Sequence, residues 1–330
     1  MASYGKEHPM GEYSMEERSM ETNYKEENDM GENCAQNSAA GETYAGGKDK
    51  IGVLVESCAD IPAELIEEYH IFVLPIAIEC LDGQYRDGVD ITAEDIYEKL
   101  KTELPKSSSP LGSDIEDVFQ EMKRQGYTKA VAISLSGGLS GTVNHLRMAA
   151  GEFSDLEIQV FDSRQASIGI GVIALQAAQE IRKGISFEAL LERIPRLIEN
   201  TRVFFSIDTL EYLQKGGRIG KVTAMAGAML QIKPILSFDE DGEIYTAAKV
   251  RGRKQVESRL LKLVEELSGE GRPYNLVVAD GGAPREREEL EAKLVQSLPD
   301  YANLYRARIG AALSIYLGSG LLGAGIQFLD

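Results

Sequence analysis

The sequence predicts an α/β fold made of two lobes, which divide near residue 200. Apolar runs of strand length alternate with longer stretches of helical periodicity, and this alternation is typical of parallel sheets joined by right-handed crossovers. In the second half a tight turn, Asp239–Gly242, separates two apolar runs and adds antiparallel strands. We therefore expect a mostly parallel sheet in the N-terminal lobe (51–200) and a mixed sheet in the C-terminal lobe (201–330).

The N-terminal lobe contains short apolar runs that predict buried strands, because turn residues bound each of them. These strands are predicted at Ile51–Val55, Ile71–Ile78, Ala130–Ser134 and Ile158–Phe161. The pair Asp82-Gly83 predicts a hairpin turn. Helices are predicted at Pro62–Tyr69, from Thr92 to about Lys101, at Asp114–Arg124, from near Thr142, and at Gln165–Arg182 and Phe187–Glu199.

The C-terminal lobe repeats the alternation, with helices between its strands. Strands are predicted at Val203–Ile207, Lys233–Phe238, Glu243–Val250 and Leu276–Ala279. The last segment, residues 309–329, is uncharged and long enough to cross a bilayer about 30 Å thick. Because five glycines interrupt it and no basic flank follows it, we expect a glycine-rich turn joining buried strand ends instead of a membrane span.

Residues 1–50 differ in kind from the rest of the chain. They contain no Val, Ile, Leu or Phe, and they hold five of the nine methionines. Their 5 basic and 11 acidic residues contribute −6 to the formal net charge of −18. A segment without branched aliphatic residues buries too little apolar surface to offset the entropy lost on ordering. We expect a disordered acidic tail without the features of a signal peptide.

The composition excludes several classes of function. A net charge of −18 argues against unaided binding to nucleic acid, because neutralising phosphate charge supplies most of that affinity. Three cysteines and three histidines, which form no cluster, argue against a disulfide scaffold and a metal site. The Gly318–Gly323 match to a dinucleotide fingerprint has only seven residues after it, too few for the required helix and strand. We therefore predict no cofactor, no metal and no catalytic residue.

Four hydroxyl-rich segments follow predicted strands. They are Glu56–Asp60, Ser107–Pro110, Ser136–Thr142 and Asp162-Ser163. Ligands of open α/β sheets bind outside the carboxyl ends of the strands, where small residues and hydroxyls converge. Each segment alone is explained by helix capping and turn formation. Four of them together predict a shared site for an anion or a carboxylate.

These segments also resemble the DegV family, whose FakB-type members are fatty-acid-binding subunits of a bacterial fatty-acid kinase. Seven landmarks occur in order over about residues 51–330, nearly all of the chain outside the tail. They are Glu56–Asp60, Tyr85–Thr92, Pro105–Pro110, Leu139–Thr142, Asp162–Ser167, Tyr212–Ile219, and Lys233–Leu236 with Lys249–Arg251. The resemblance implies that a long-chain fatty acid lies in a tunnel between the two lobes and meets the hydroxyl-rich turns with its carboxylate.

The resemblance also implies roles for particular residues. The ligand-binding residues would be Ser57, Ser107, Ser108, Ser136, Gly137, Ser140, Thr142 and Tyr316. Met225 and Met229 lie four residues apart in an apolar stretch and would line the tunnel, although an ordinary core helix explains them equally well. Arg218, Arg251 and Arg253 belong to a basic concentration that would dock the kinase, whereas solvated charge is the usual explanation.

The sequence departs from the family pattern where the ligand carboxylate would bind. The family's C-terminal motif carries a histidine at the position of Tyr316, and a phenol offers a hydrogen-bond donor without a positive charge. Glu56, Ser109 and Gly137 replace the family's Asp, Gln and Ser. Recognition of the carboxylate is therefore the feature that the resemblance supports least.

The resulting prediction is a cytoplasmic lipid carrier that binds a long-chain fatty acid, performs no chemistry and presents the carboxylate to a separate kinase. A transient contact with a membrane is compatible with this role. Two alternatives stay open at this point. One is an enzyme acting on a phosphorylated small molecule at the same strand-end crevice, and the other is a regulatory or structural homologue that has lost its site.

Overall fold

The structure is a computed structural model that describes residues 49–225, 232–269 and 271–330. Except for Asp49 and Lys50, the predicted acidic tail lies outside the described residues, as does Met229. All described residues belong to one compact unit. Their helices and strands form the predicted α/β fold, with a parallel sheet in the N-terminal part and a mixed sheet in the C-terminal part.

The N-terminal part contains seven strands among its described residues. They are β1 (Ile51–Glu56), β2 (Phe72–Leu74), β3 (Ala77–Cys80), β4 (Gly83–Arg86), β5 (Lys106–Ser108), β6 (Lys129–Ser134) and β7 (Glu157–Asp162). Its helices are α1 (Ala63–Tyr69), α2 (Ala93–Lys99), α3 (Gly112–Arg124), α4 (Thr142–Glu152), α5 (Ile168–Arg182) and α6 (Phe187–Glu199). A parallel sheet has the order β2-β1-β6-β7, and a small antiparallel sheet has the order β4-β3-β5.

The C-terminal part forms one six-stranded mixed sheet. Its strands are β8 (Thr201–Ser206), β9 (Ile232–Phe238), β10 (Ile244–Arg251), β11 (Tyr274–Gly281), β12 (Leu304–Arg308) and β13 (Leu321–Phe328). Its helices are α7 (Glu211–Lys215), α8 (Val256–Ser268), α9 (Pro284–Ser297) and α10 (Ala311–Leu317). The strand order is β10-β9-β8-β13-β11-β12, and β11 and β12 are its parallel pair.

Helix α5 lies between the two large sheets and contacts strands of both. Twelve of its fifteen residues are buried, as expected for a helix that is apolar on all sides. A Cβ atom at Gly171 would lie 2.8 Å from the carbonyl oxygen of Ala59, so this glycine permits close packing of α5. The outer faces are covered by α3 and α4 on the parallel sheet and by α8 and α9 on the mixed sheet.

Three local predictions are wrong. The run Ile71–Ile78 is not one strand, because Pro75 lacks an N–H and separates β2 of the parallel sheet from β3 of the small sheet. The segment Ser107–Pro110 does not begin with a turn, since Lys106–Ser108 forms the edge strand β5. Residues 309–329 form the short helix α10 and the eight-residue strand β13, joined at Gly318–Gly320. Among the described residues, no helix has the length and apolar character needed to cross a membrane.

Candidate functional site

A cavity of about 310 Å³ lies between α5, α10 and the inner face of the mixed sheet. Its interior is apolar, with Val203, Phe205, Phe238, Val277 and Leu321 among the buried residues that line it. Of its lining residues, the exposed ones are Ser108, Gly141 and Arg218, so the cavity opens beside these three. It therefore combines an apolar interior with a polar opening, as small-molecule sites commonly do.

Three separate elements place the polar groups at this opening. Strand β5 carries Ser107 and Ser108, and its register with β3 sets Ser107 opposite Ile78. The turn after β6 carries Ser140, and helix α10 carries Tyr316. Each element belongs to a different part of the fold, so the opening is assembled only in the folded chain.

The hydroxyl groups at the opening form two hydrogen-bonded sets. The Ser107 Oγ and the Tyr316 phenol oxygen lie 2.9 Å apart. The Thr142 Oγ1 lies 2.9 Å from the Ser140 Oγ and 3.0 Å from the Ser109 Oγ. A hydroxyl rotates to donate or to accept, so these groups can turn their protons toward an acidic ligand.

Arg218 supplies positive charge at the same opening. Its guanidinium carbon lies 5.2 Å from the centre of the Tyr316 ring, a cation–π distance. Its Nη1 donates to the carbonyl of Gly216 at 2.6 Å, and its Nε donates to the carbonyl of Leu139 at 3.3 Å. Both acceptors are uncharged, so the positive charge is not neutralised by them. The sequence predicts only a docking role for Arg218 and does not reveal this proximity to Tyr316.

The Tyr316 ring lies directly against Gly216. A Cβ atom at residue 216 would come within 2.4 Å of the ring, so only glycine leaves the ring in its place. Gly216, Arg218 and Tyr316 thus form one packed group, although about 100 residues separate Tyr316 from the other two. Arg218 thus supplies, beside Tyr316, the positive charge that the phenol itself lacks.

Four of the sequence-predicted ligand residues lie outside the cavity lining. One is Thr142, which contacts the lining residues Ser109 and Ser140, and the others are Ser57, Ser136 and Gly137. Ser57 donates to Asp87 at 2.7 Å and accepts from the Ile76 N–H at 3.0 Å. The buried Ser136 donates to the Gly242 carbonyl at 2.8 Å, which ties the turn after β6 to the β9–β10 hairpin. The Gly137 N–H donates to Asp162 at 3.1 Å. Through these contacts Ser57, Ser136 and Gly137 hold the surrounding turns together.

The start of helix α10 is held by two buried carboxylates that the sequence did not single out. Asp60 accepts from the Gly310 N–H at 2.9 Å and from the Ser167 hydroxyl at 2.5 Å. Asp87 accepts hydrogen bonds from the first backbone N–H groups of α10. Burial is the main cause that raises the pKa of both carboxyl groups, and it raises that of Asp60 strongly. The two aspartates fix the helix that carries Tyr316.

Cys58 lies in the cavity wall and is buried. Burial, followed by the nearby carboxylates of Glu56 and Asp60, raises the pKa of its thiol well above the ordinary value. A thiol held in its protonated form is a poor nucleophile. Cys58 therefore contributes apolar surface to the wall.

The remaining predicted residues are Met225, Met229, Arg251 and Arg253. Met225 ends a 3₁₀ helix (Gly220–Met225), but its side chain and all of Met229 lie outside the described part of the structure, so their lining role stays a prediction. Arg251 ends strand β10. Arg253 forms ion pairs with Glu286 at 2.5 Å and with Asp208 at 3.6 Å. Docking through these arginines also stays a prediction.

One group of side chains in the described residues has the spacing of metal ligands. Cys80, Asp82 and Glu103 bring their ligand atoms within 4.8 Å of one another. The Lys99 ammonium lies among them, 2.6 Å from Asp82 and 3.5 Å from Glu103. Because this cation already bridges both carboxylates, the group is explained without a metal ion.

Comparison with known proteins supports a relationship over almost all of the described chain. Residues 50–328 match the family model described as "Uncharacterised protein, DegV family". A DegV domain-containing protein of Clostridium acetobutylicum is 37% identical over 276 residues, which cover 83% of this chain and 98% of the relative.

Solved structures of the same family have the same fold. A structure described as fatty-acid binding of a DegV family protein from Thermus thermophilus matches with a TM-score of 0.79 and 29% identity, covering 85% of this chain and 100% of that one. DegV of Bacillus subtilis, described as a fatty acid binding protein, matches with a TM-score of 0.78 and 30% identity over the same shares. From the family match and the identity to its relatives, we conclude that this chain belongs to the DegV family.

Proposed function

We propose that this chain binds a long-chain fatty acid, with the acyl chain in the cavity and the carboxylate at its opening. The observation that carries the proposal is the pairing of a buried apolar cavity with Ser107, Tyr316 and Arg218 at its mouth. Burying an acyl chain contributes about 0.8 kcal/mol per methylene, which supplies affinity. The hydroxyls and the guanidinium offer hydrogen bonds and charge to the carboxylate. The fatty-acid-binding descriptions of the relatives from Thermus and Bacillus support the same ligand.

The protein acts in this proposal as a carrier that performs no chemistry on its ligand. The hydroxyl of Ser107 is bonded to a phenol and that of Ser140 to another hydroxyl, and neither partner is a base strong enough to activate a nucleophile. The Cys58 thiol is held protonated by burial. These features favour binding over covalent catalysis.

The position of the opening is suited to delivery of the carboxylate to a second protein. Ser108, Gly141 and Arg218 are exposed, so the carboxylate of a bound acid would lie near the surface while its acyl chain stays buried. A separate kinase could then phosphorylate the carboxylate without extraction of the lipid. Arg218, Arg251 and Arg253 are the proposed contacts for that kinase, to which they would offer positive charge.

Extraction of the natively purified chain with organic solvent, followed by mass spectrometry, identifies the compound that the chain binds. About one long-chain fatty acid per chain is expected. The double variant Ser107→Ala with Ser108→Ala is expected to lower this occupancy while its thermal unfolding stays cooperative. Recovery of a polar phosphorylated compound would instead favour the enzyme alternative, and an empty cavity would contradict the carrier role.

The kinase partnership needs its own experiment. The lipid-loaded chain is incubated with a bacterial fatty-acid kinase subunit and ATP, and formation of acyl phosphate is measured. The variant Arg251→Gln with Arg253→Gln is expected to lower the rate and to keep its lipid. Equal rates for the variant and the wild-type chain would exclude these two arginines from docking.

A further inference from the structure

The inner face of the mixed sheet is organised in three rows of side chains across strands β8, β13 and β11. The strand register places Phe205, Gly323 and Ala279 in one row and Val203, Gly325 and Val277 in the next. A third row follows in the same direction, two residues further along each strand. It consists of Thr201, Gln327 and Asn275. Because alternate residues of a strand face the same side, all three rows face helix α5.

The cavity extends over the first two rows. Phe205, Gly323 and Ala279 line it, as do Val203 and Val277 of the second row. The third row contributes no residue to the lining. The cavity therefore ends at the pair of valines, and the third row lies behind them.

The third row is a buried network of amides and one hydroxyl. The Asn275 amide donates to Gln327 at 3.1 Å and to Gln176 of α5 at 3.3 Å. The Gln327 amide donates to the Thr201 Oγ1 at 3.3 Å, and Thr201 donates to the Leu197 carbonyl at 2.7 Å.

Thr201, Asn275 and Gln327 have no exposed surface, so water cannot replace a hydrogen bond that is lost there. An apolar chain that entered this row would break bonds that nothing else could satisfy. The network is therefore a barrier to further penetration of an acyl chain.

Gly323 and Gly325 of β13 differ in the space that a side chain would have at each position. A Cβ atom at Gly325 would lie 2.3 Å from the Arg202 carbonyl oxygen, so this glycine is required by strand packing. At Gly323 a Cβ atom would lie 3.3 Å from the Phe204 carbonyl oxygen, a tight contact that a small shift relieves, and Gly323 itself lines the cavity. Gly323 thus adds room immediately in front of Val203 and Val277.

We propose that Val203 and Val277, supported by the amide row behind them, are the end wall that sets the greatest acyl-chain length this protein accepts, and that Gly323 sets the bulk accepted just before the wall. The inference rests on the proposed function, because it assigns the cavity interior to an acyl chain. It assigns length selection to the sheet, whereas the polar opening recognises the carboxylate.

Competitive loading tests the end wall. The full chain is delipidated and offered an equimolar mixture of myristate, palmitate and stearate, and the bound acids are quantified by mass spectrometry. Val277→Ala is expected to shift the bound population toward the longer acids, and Gly323→Val toward the shorter ones. Because one methylene in an apolar pocket changes selectivity about tenfold or more, ratios of neighbouring acids are expected to change by about that factor.

Val278→Ala is the matched control. Val278 is the next residue of β11 and is equally buried, but it packs in the core on the other face of the sheet. Its loss removes the same atoms without touching the cavity, so its bound population is expected to match that of the wild-type chain. An equal shift in Val278→Ala and Val277→Ala would overturn the inference, since general loosening would then explain both.

The inference and the proposed function fail in different ways. Val277→Ala and Gly323→Val chains that bind acid with the wild-type distribution overturn the end wall and leave fatty-acid binding intact. A wild-type chain that takes up none of the three acids overturns both. If Val277→Ala does not fold, Gly323→Val alone decides, because an unchanged distribution in that variant contradicts the wall.

Discussion

The hydroxyl of Tyr316 is expected to be a direct contact of the ligand carboxylate, and Tyr316→Phe tests this contact alone. The substitution removes one oxygen, which lies 2.9 Å from the Ser107 Oγ, and keeps the ring against Gly216 and beneath Arg218. A hydrogen bond to a charged group is worth about 1.5–3 kcal/mol. The dissociation constant for palmitate is therefore expected to rise about 10- to 150-fold.

The assay is a titration of delipidated chain with palmitate at constant ionic strength, with thermal unfolding measured in parallel. Tyr97→Phe is the control. The Tyr97 hydroxyl bonds at 3.3 Å to Ser314 of α10, the helix that carries Tyr316, and Tyr97 does not line the cavity. Its affinity for palmitate should equal that of the wild-type chain. A Tyr316→Phe affinity equal to that of the Tyr97→Phe variant would refute the placement of the carboxylate at this hydroxyl.

Three further predictions concern charge, pH and the junction between the sheets. Arg218→Gln should weaken palmitate binding most at low ionic strength, where screening is weakest, and titrations at two salt concentrations that give the same loss would contradict this. Burial raises the pKa of Asp60, so its contribution to stability is greatest below pH about 4 and is lost as the pH rises through the native pKa. In urea unfolding, the unfolding free energy of Asp60→Asn relative to that of the wild-type chain should therefore increase from pH 4 to pH 8. Free energies that change in parallel with pH in the two chains would contradict this prediction. Ser136→Ala leaves the buried Gly242 carbonyl without its donor and should lower the unfolding free energy by about 1–3 kcal/mol with palmitate affinity unchanged, whereas weakened binding would place Ser136 in the site.

The large elements of this fold could be predicted because their signals are local. The alternation of apolar runs and helical stretches predicts the two sheets, and the turns at Asp82-Gly83 and Asp239–Gly242 connect antiparallel strands as expected. The helix Ile168–Arg182 also lies within its predicted range. Propensity and periodicity are sufficient where an element is long and its pattern is regular.

The candidate site was predictable only in part, because its groups meet through contacts distant in sequence. Lys106–Ser108 has no strand pattern of its own and is extended because β3 pairs with it. The sequence places Asp60 in a turn, but its bond to the Gly310 N–H joins positions 250 residues apart. The proximity of Arg218 to Tyr316 likewise depends on the packing of α10 against α7. Such pairings leave no trace in local periodicity.

A crystal structure of the chain with bound palmitate is the most direct test of the proposed binding mode. We expect a carboxylate oxygen within hydrogen-bond distance of Tyr316 or Ser107, near the Arg218 guanidinium, and an acyl chain that runs inward toward Val203 and Val277. A palmitate bound outside this cavity, or one with its carboxylate directed at the amide row and its methyl end at the opening, would contradict it.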